Sequence, residues 1–276
     1  MNYVEGKTII ITGAAGGFGR LVAQKVNAMG ARVVLSDINT GELDQALGSL
    51  ERPDNAIAVV ADVADRKQMV QLVDEAARRF GSVDVMLNNA GTMPLAFFSD
   101  HSAASEAWDR CIDINFKGVL HGICAVYDRM ISQGHGHVIN VSSIYGNFPV
   151  VGAGVYGATK SAVNFLSESL RMESQGKIKV TTVKPTGVPA TGLGASVINR
   201  EAVVGILGAN MSAYAQQSEA LAAGQLPESQ LDPGSIDYFA LNPELLADQI
   251  VYVINQPLGV SISEVTVRAS GDVYIL

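Results

Sequence analysis

The chain has little charge, more of it acidic than basic, and almost no cysteine. Charged residues are 17% of the 276, and 27 acids outweigh 19 lysines and arginines to give a net charge of −8. A disordered chain carries more charge and less apolar content than this one, which is 48% hydrophobic. The acidic balance attracts no polyanion, so nucleic acid and anionic membrane surfaces are not expected partners. No run of about 18 apolar residues is present to span a bilayer. Residues 1–7 lead straight into a strand-like run, without the apolar stretch of a secretion signal. Cys111 and Cys124 lie in helix-like segments and make no disulfide framework; they are expected to be buried thiols of a cytoplasmic protein. Internal repeats and low-complexity linkers are also lacking, and one α/β domain can account for the whole length.

What is present is a rhythm of short apolar, β-branched runs separated by helical patterns. Strands are expected at 8–11, 32–35, 56–60, 83–87, 137–141, 179–183 and 264–267. Continuous apolar runs such as Thr8, Ile9, Ile10 and Ile11 suit central parallel strands covered on both faces. Strands alternating with helices predict βαβ units with right-handed crossovers, hence a doubly wound α/β sheet. The rhythm breaks between about 188 and 237, where Ala, Gly and Leu abound and 201–223 has helical composition. An insertion there lies near the carboxyl ends of the last strands, where such sheets bind ligands, so it is expected to be a helical substrate lid.

The run Thr12, Gly13, Ala14, Ala15, Gly16, Gly17, Phe18, Gly19 joins the first strand to the first helix. Glycine allows a sharp turn and a close backbone approach to a pyrophosphate, and the helix start offers free N–H groups to it. The strand before and helix after supply the context this motif needs. Asp37 ends the second strand, 18 residues after Gly19. A carboxylate there accepts hydrogen bonds from both ribose hydroxyls of NAD and repels the 2′-phosphate of NADP. Gly16 puts no cation in the turn to reward that phosphate, so NAD is the expected cofactor.

Further motifs arrive in order: Asp62 and Val63 after the third strand, then Asn88, Asn89, Ala90 and Gly91 after the fourth. Asp113, Ile114 and Asn115 follow, and then Ser143, which is thirteen residues before Tyr156, with Lys160 four after it. Together with the glycine turn they resemble the short-chain dehydrogenase/reductase family over residues 7–185 and, more loosely, the last strand. The resemblance implies catalytic roles for Asn115, Ser143, Tyr156 and Lys160. It implies cofactor contacts from Gly13, Gly17, Phe18, Gly19, Asp37, Asp62, Val63, Asn89, Ala90, Gly91, Tyr156, Lys160, Pro185 and Val188. It also implies that Asn115 holds a water leading from Lys160 to solvent, and that the chain is a homo-oligomer, a tetramer or dimer, with the Tyr156 helix in an interface. One loop departs from the family pattern: Pro185 is followed by Thr186, then Gly187 and Val188, and Thr191 falls one place late. The glycines at 13, 16 and 19 also suit longer, epimerase-like relatives, but the Asn88–Gly91 motif and the short chain argue against that branch.

Alcohol oxidation removes a hydride from carbon and a proton from oxygen, and the cofactor takes the hydride. Tyr156 is the expected proton acceptor, and the donor in reverse. A free phenol titrates near 10, too high for a good base. Lys160 lies one helical turn away, and a cation at about 4 Å can lower the phenol by about 3 units before desolvation opposes it. Ser143 is expected to hydrogen-bond the substrate oxygen. Met93, Pro94, Leu95, Tyr145, Phe148, Val151 and the 188–237 insertion offer an apolar wall for a neutral secondary alcohol or ketone. An NAD-retaining epimerase or dehydratase, and a non-catalytic nucleotide-sensing module, are the alternatives.

Other features carry no assigned chemistry. His135 and His137 read as part of a solvated turn, with no metal expected. Trp108 reads as a packing anchor. The apolar residues 273–276 are too costly to leave in water and are expected to dock, a neighbouring subunit being one place for them. The expected fold is thus a single Rossmann-like α/β domain with a helical insertion.

Overall fold

Seven strands form at the seven expected places. In the computed structural model, which describes residues 1–189 and 191–275, they are β1 (Thr8–Thr12), β2 (Arg32–Asp37), β3 (Ala56–Val60), β4 (Val85–Asn88), β5 (His137–Val141), β6 (Lys179–Pro185) and β7 (Glu264–Val267). All pair in parallel, in the order β3-β2-β1-β4-β5-β6-β7. The order reverses between β1 and β4, which opens a crevice at their carboxyl ends.

The two-residue period of a strand assigns the core. Ile9, Ile11, Val33, Leu35, Val85 and Leu87 face one layer, built on helices α1 (Gly17–Ala28) and α2 (Thr40–Gly48). Ile10, Val34, Met86 and Val138 face the other, built on α3 (Arg66–Phe80), α5 (Gly118–Gln133) and α6 (Gly154–Glu173), with α4 (His101–Ile112) preceding α5 in the chain. Ile9, Ile10 and Ile11 are wholly buried, and each contributes about 1.5–3 kcal/mol by leaving water.

Local signals set the ends of these helices. Asp65 caps α3 by accepting from the Lys67 and Gln68 N–H groups, and Gly81 closes it in the left-handed region. β4 starts two residues later than the pattern suggested. Asp84 is instead a clamp: its carboxylate accepts from the Thr8 N–H at 2.8 Å and from His135 at 2.9 Å. The 188–237 segment holds α7 (Val204–Leu207), α8 (Met211–Ala222) and α9 (Glu228–Leu231), with 3-10 turns at Leu193–Ser196, Arg200–Val203 and Gly208–Asn210. The last helix, α10 (Pro243–Ile254), adds Leu246, Ala247 and Ile250 to the α1 layer.

Two expectations need correction. His137 does not sit in a solvated turn; it is the first residue of β5, buried, with Nε2 2.8 Å from the Thr181 hydroxyl. Burial and the nearby Lys179 and Lys7 keep its pKa well below the usual value. Cys111 is buried as expected, but Cys124 is exposed on α5, because it falls on the face turned away from the sheet.

A buried polar chain crosses the sheet where the site begins. Asn88 donates to Asn140 Oδ1 at 2.8 Å, Asn140 donates to Ser167 Oγ at 2.9 Å, and Ser167 donates to the Val163 carbonyl. This ties the ends of β4 and β5 to α6. The change Asn88→Ala leaves the Asn140 oxygen without its donor in a dry site, and is expected to lower unfolding free energy by about 1–3 kcal/mol in urea denaturation.

Candidate active site

The crevice runs across the carboxyl ends of β2, β1, β4, β5 and β6 and has a volume of about 1160 Å³. Its first wall is the glycine turn. Gly13 has φ +65°, and a Cβ there would lie 2.9 Å from Ala90 Cα. A Cβ on Gly19 would lie 2.3 Å from the Gly13 carbonyl oxygen, so α1 rests directly on the turn. The Thr12 hydroxyl accepts from the Asn89 and Ala90 N–H groups, and Asn89 Nδ2 donates to the Thr12 and Gly13 carbonyls. Asn89 Oδ1 is buried with no hydrogen-bond partner among the described residues. Gly13, Gly17, Phe18, Asn89, Ala90, Gly91, Pro185 and Val188 all line the crevice.

Asp37 stands at the β2 end of this wall. Its carboxylate accepts from the Ala15 and Asn39 N–H groups at 3.2 and 3.1 Å, which fixes its direction. Glu42 lies near it in the lining. Asp62 and Val63 are not among the lining residues. The Asp62 carboxylate accepts from the Ala64 N–H, and Val63 packs under Gly118.

The corner from β5 to α6 assembles the polar centre. A 3-10 turn over Ile144–Gly146 follows Ser143, whose Oγ accepts from the Tyr145 N–H at 3.2 Å. A Cβ on Gly146 would sit 2.8 Å from the Lys160 backbone carbon, so only glycine lets this turn lie flat on α6. Ser161 and Asn164 both donate to the Gly146 carbonyl, and the Ser142 hydroxyl donates to the Lys160 carbonyl. Ser143, Tyr156 and Lys160 are thereby brought to one wall of the crevice, all but fully buried. Tyr145 meets the Tyr156 ring edge-on at 5.5 Å.

Asn115 lies behind that wall. Residues Asp113–Lys117 form a turn of π-helix between α4 and α5, a local widening often found at functional sites. It aims Asn115 at Thr92, whose N–H donates to Oδ1 at 2.9 Å and whose carbonyl accepts from Nδ2 at 2.8 Å. Nδ2 also reaches the Thr159 hydroxyl, which donates to the Tyr156 carbonyl. Asn115 Oδ1 and Lys160 Nζ both border Gly91, 3.3 and 3.7 Å from where its Cβ would be.

Electrostatics differ from the expectation drawn from helix spacing. Burial pushes the Tyr156 phenol up, against a smaller opposing effect of the Ser143 hydroxyl. Lys160 Nζ donates to the Val141 carbonyl at 2.8 Å and lies 5.8 Å from the Tyr156 ring centre. Its own pKa is pulled down to about 8 by burial. Desolvation outweighs the pairing when no other charge is near.

The apolar side of the crevice is only partly the one expected. Met93 and Tyr145 line it, while Leu95 is wholly buried behind it, and Phe148 and Val151 are exposed elsewhere. The insertion contributes Val203, Ile206, Leu207, Tyr214 and Leu221, and Phe239 and Tyr274 complete it. Trp108 is a packing anchor: it meets Phe98 edge-on and donates to the Pro94 carbonyl. The loop after β6 turns Thr186 inward, where its hydroxyl donates to the Val267 carbonyl, so Thr191 and not Thr186 faces the crevice. The C-terminal tail docks on its own chain, through Ile275 N–H to the Ile206 carbonyl; Leu276 lies outside the described residues.

Residues 7–202 match the sequence model of the short chain dehydrogenase family. The chain belongs to the short-chain dehydrogenase/reductase family. Curated relatives include an uncharacterized oxidoreductase of Listeria monocytogenes, 34% identical over 96% of both chains. Another, from Staphylococcus epidermidis, is 29% identical over 97% of this chain and 99% of the relative. Among solved structures, a serine dehydrogenase complexed with NADP+ is 26% identical over 94% of each chain, with a TM-score of 0.75. A short chain dehydrogenase/reductase from Burkholderia phymatum in complex with NAD is 26% identical, over 96% of this chain and 90% of the other, with a TM-score of 0.74. The protein is therefore an oxidoreductase of this family with a Rossmann-like fold. Among the described residues, no helix is long and apolar enough to cross a membrane.

Lys160 gives a pH signature to stability. Between about pH 8 and the unfolded value near 10.4, the unfolded chain holds a proton that the native lysine has released. Stability from this group therefore rises with pH through that window, and the full cost of burying its charge is present below it. The stability difference between Lys160→Met and the parent is expected to move in the parent's favour, by at most about 3 kcal/mol, from about pH 8 to about pH 10. Urea midpoints measured across that range read it directly.

Proposed function

We propose that the protein is an NAD(H)-dependent oxidoreductase acting on an uncharged, fairly apolar secondary alcohol or ketone. The observation that carries this is the joint placement of Ser143, Tyr156 and Lys160 on one wall of a crevice that begins at a glycine turn and Asp37. The residues fit a dinucleotide. Gly13 and Gly19 leave backbone where a side chain would intrude, and the unpartnered Asn89 oxygen awaits a donor. The α1 N–H groups suit the phosphates, and the fixed Asp37 carboxylate suits the ribose hydroxyls of NAD. Lys160 is the single basic side chain among the described lining residues, so nothing there rewards a 2′-phosphate.

When bound, the nicotinamide gives or accepts the hydride. Ser143 would hold the substrate oxygen by a hydrogen bond as charge develops on it. Tyr156 would donate its phenolic proton to that oxygen in reduction and take it back in oxidation. Burial keeps the phenol protonated at neutral pH, which favours the donor role and hence ketone reduction. Lys160 would bind the nicotinamide ribose and resupply the proton, with Asn115 beside it at Gly91. The insertion over 188–237 would be the substrate lid. Its lining and Tyr145 are largely apolar or aromatic, with the hydroxyls of Thr191, Ser196 and Ser218 among them, and a carboxylate or phosphate on the substrate would find no cationic partner among the described lining residues except Lys160. A cytoplasmic homo-oligomer remains the expected state.

Calorimetric titration with NADH and NADPH tests the cofactor: NADH is expected to bind at least about tenfold tighter, and equal or tighter NADPH binding overturns the role given to Asp37. Tyr156→Phe tests the chemistry. Ketone reduction is expected to fall by about 10²–10⁴ with NADH binding retained. Retained turnover in this variant would remove Tyr156 from the reaction.

A further inference from the structure

The C-terminal tail enters the substrate side of the crevice, and a dedicated set of contacts holds it there. Asp272 is the anchor, with its side chain only 4% exposed. Its carboxylate accepts two hydrogen bonds from the Arg268 guanidinium and one from the Tyr274 N–H, and it lies 3.4 Å from the Thr186 hydroxyl. Arg268 also donates to the Tyr274 carbonyl. One acid thus joins the end of β6, the end of β7 and the tail.

Beyond this anchor the tail is stitched to the insertion. Asn210 Nδ2 donates to the Val273 carbonyl at 2.9 Å, and the Ile275 N–H donates to the Ile206 carbonyl at 3.0 Å. Between these two bonds the Tyr274 side chain turns into the crevice. It meets the Tyr214 ring of α8 at 5.9 Å. On its other side is Gly187, with φ +44°, where a Cβ would lie 2.3 Å from the Tyr274 ring. A glycine in the loop after β6 is therefore the seat that admits this aromatic ring.

We infer that residues 272–275 are a strap that fastens α7 and α8 over the crevice, and that Tyr274 sets the width of the substrate space. This selection rests on the ketone-reductase reading above; the strap does not. The ring occupies the junction of the nicotinamide-side loop with the insertion, so its bulk excludes wide substrates and its removal admits them. The class selected is uncharged aryl ketones of small second substituent.

The test uses the full chain with NADH and three ketones of rising bulk: acetophenone, butyrophenone and benzophenone. For Tyr274→Ala, the ratio of kcat/KM for the bulkiest to the smallest is expected to rise by about tenfold or more, as a vacated apolar volume allows. Tyr274→Phe keeps the ring and is expected to keep the ratio. An unchanged ratio in Tyr274→Ala overturns the role of the ring. Separately, hydrogen exchange over residues 204–222 is expected to quicken in Asp272→Asn, which weakens the anchor while keeping its shape. Unchanged exchange there overturns the strap. If the parent binds NADH but reduces none of the ketones, the substrate reading and the selection fall together, and exchange alone decides the strap.

Discussion

A parallel sheet covered by helices on both faces can offer polar chemistry only where its strands end. Every other feature of the molecule follows from that constraint. The interior of β1, β2 and β4 is mostly apolar on both sides, so the groups that could act on a substrate gather at the carboxyl edge. There the chain must leave each strand by a turn, and each turn supplies one part of the site: phosphate-suited backbone after β1, a carboxylate at the end of β2, a hydroxyl after β5. The order of the strands, and not their order in sequence, lays these parts side by side.

The polar groups at this edge are expensive to bury, and the protein meets the cost unevenly. Asn88, Asn140 and Ser167 satisfy one another in a closed chain, which makes them structural. At Tyr156 and Lys160 burial outweighs the opposing interactions, and both lean toward their neutral forms as a result. That imbalance is what a functional centre looks like electrostatically. A bound cationic ring or a developing alkoxide would change both preferences at once, so the pair responds to the occupant of the crevice.

Much of this was legible in the sequence because it rests on local rules. Short β-branched runs gave the places of all seven strands; β1, β2 and β4 are nearly continuously apolar because both faces are covered, whereas β6 and β7 carry polar residues and β7 is partly exposed. The glycine turn, Asp37 and the spacing of Ser143, Tyr156 and Lys160 gave one wall of the crevice, since a helix puts residues four apart on one face. What escaped depends on long-range packing. The acidity of Tyr156 depends on burial and on where Lys160 Nζ points, and neither is written in a spacing. Thr186 reads as a possible crevice residue until the end of β7 is seen to claim its hydroxyl. Phe148 and Val151 are apolar neighbours of the site in sequence, yet they face outward. Tyr214, Phe239 and Tyr274 come from distant segments with no shared motif, so only the fold could bring them together.

The contact between Gly187 and the Tyr274 ring links two positions 87 residues apart in one steric relation. A side chain at 187 would need both a relaxed backbone and a smaller residue at 274, while a smaller residue at 274 alone is tolerated by the glycine at 187. Mutational tolerance at the two sites is therefore unequal and order-dependent. The tail can vary first, the loop only afterward, and a lineage drifting toward a different pocket would be channelled through the C-terminus.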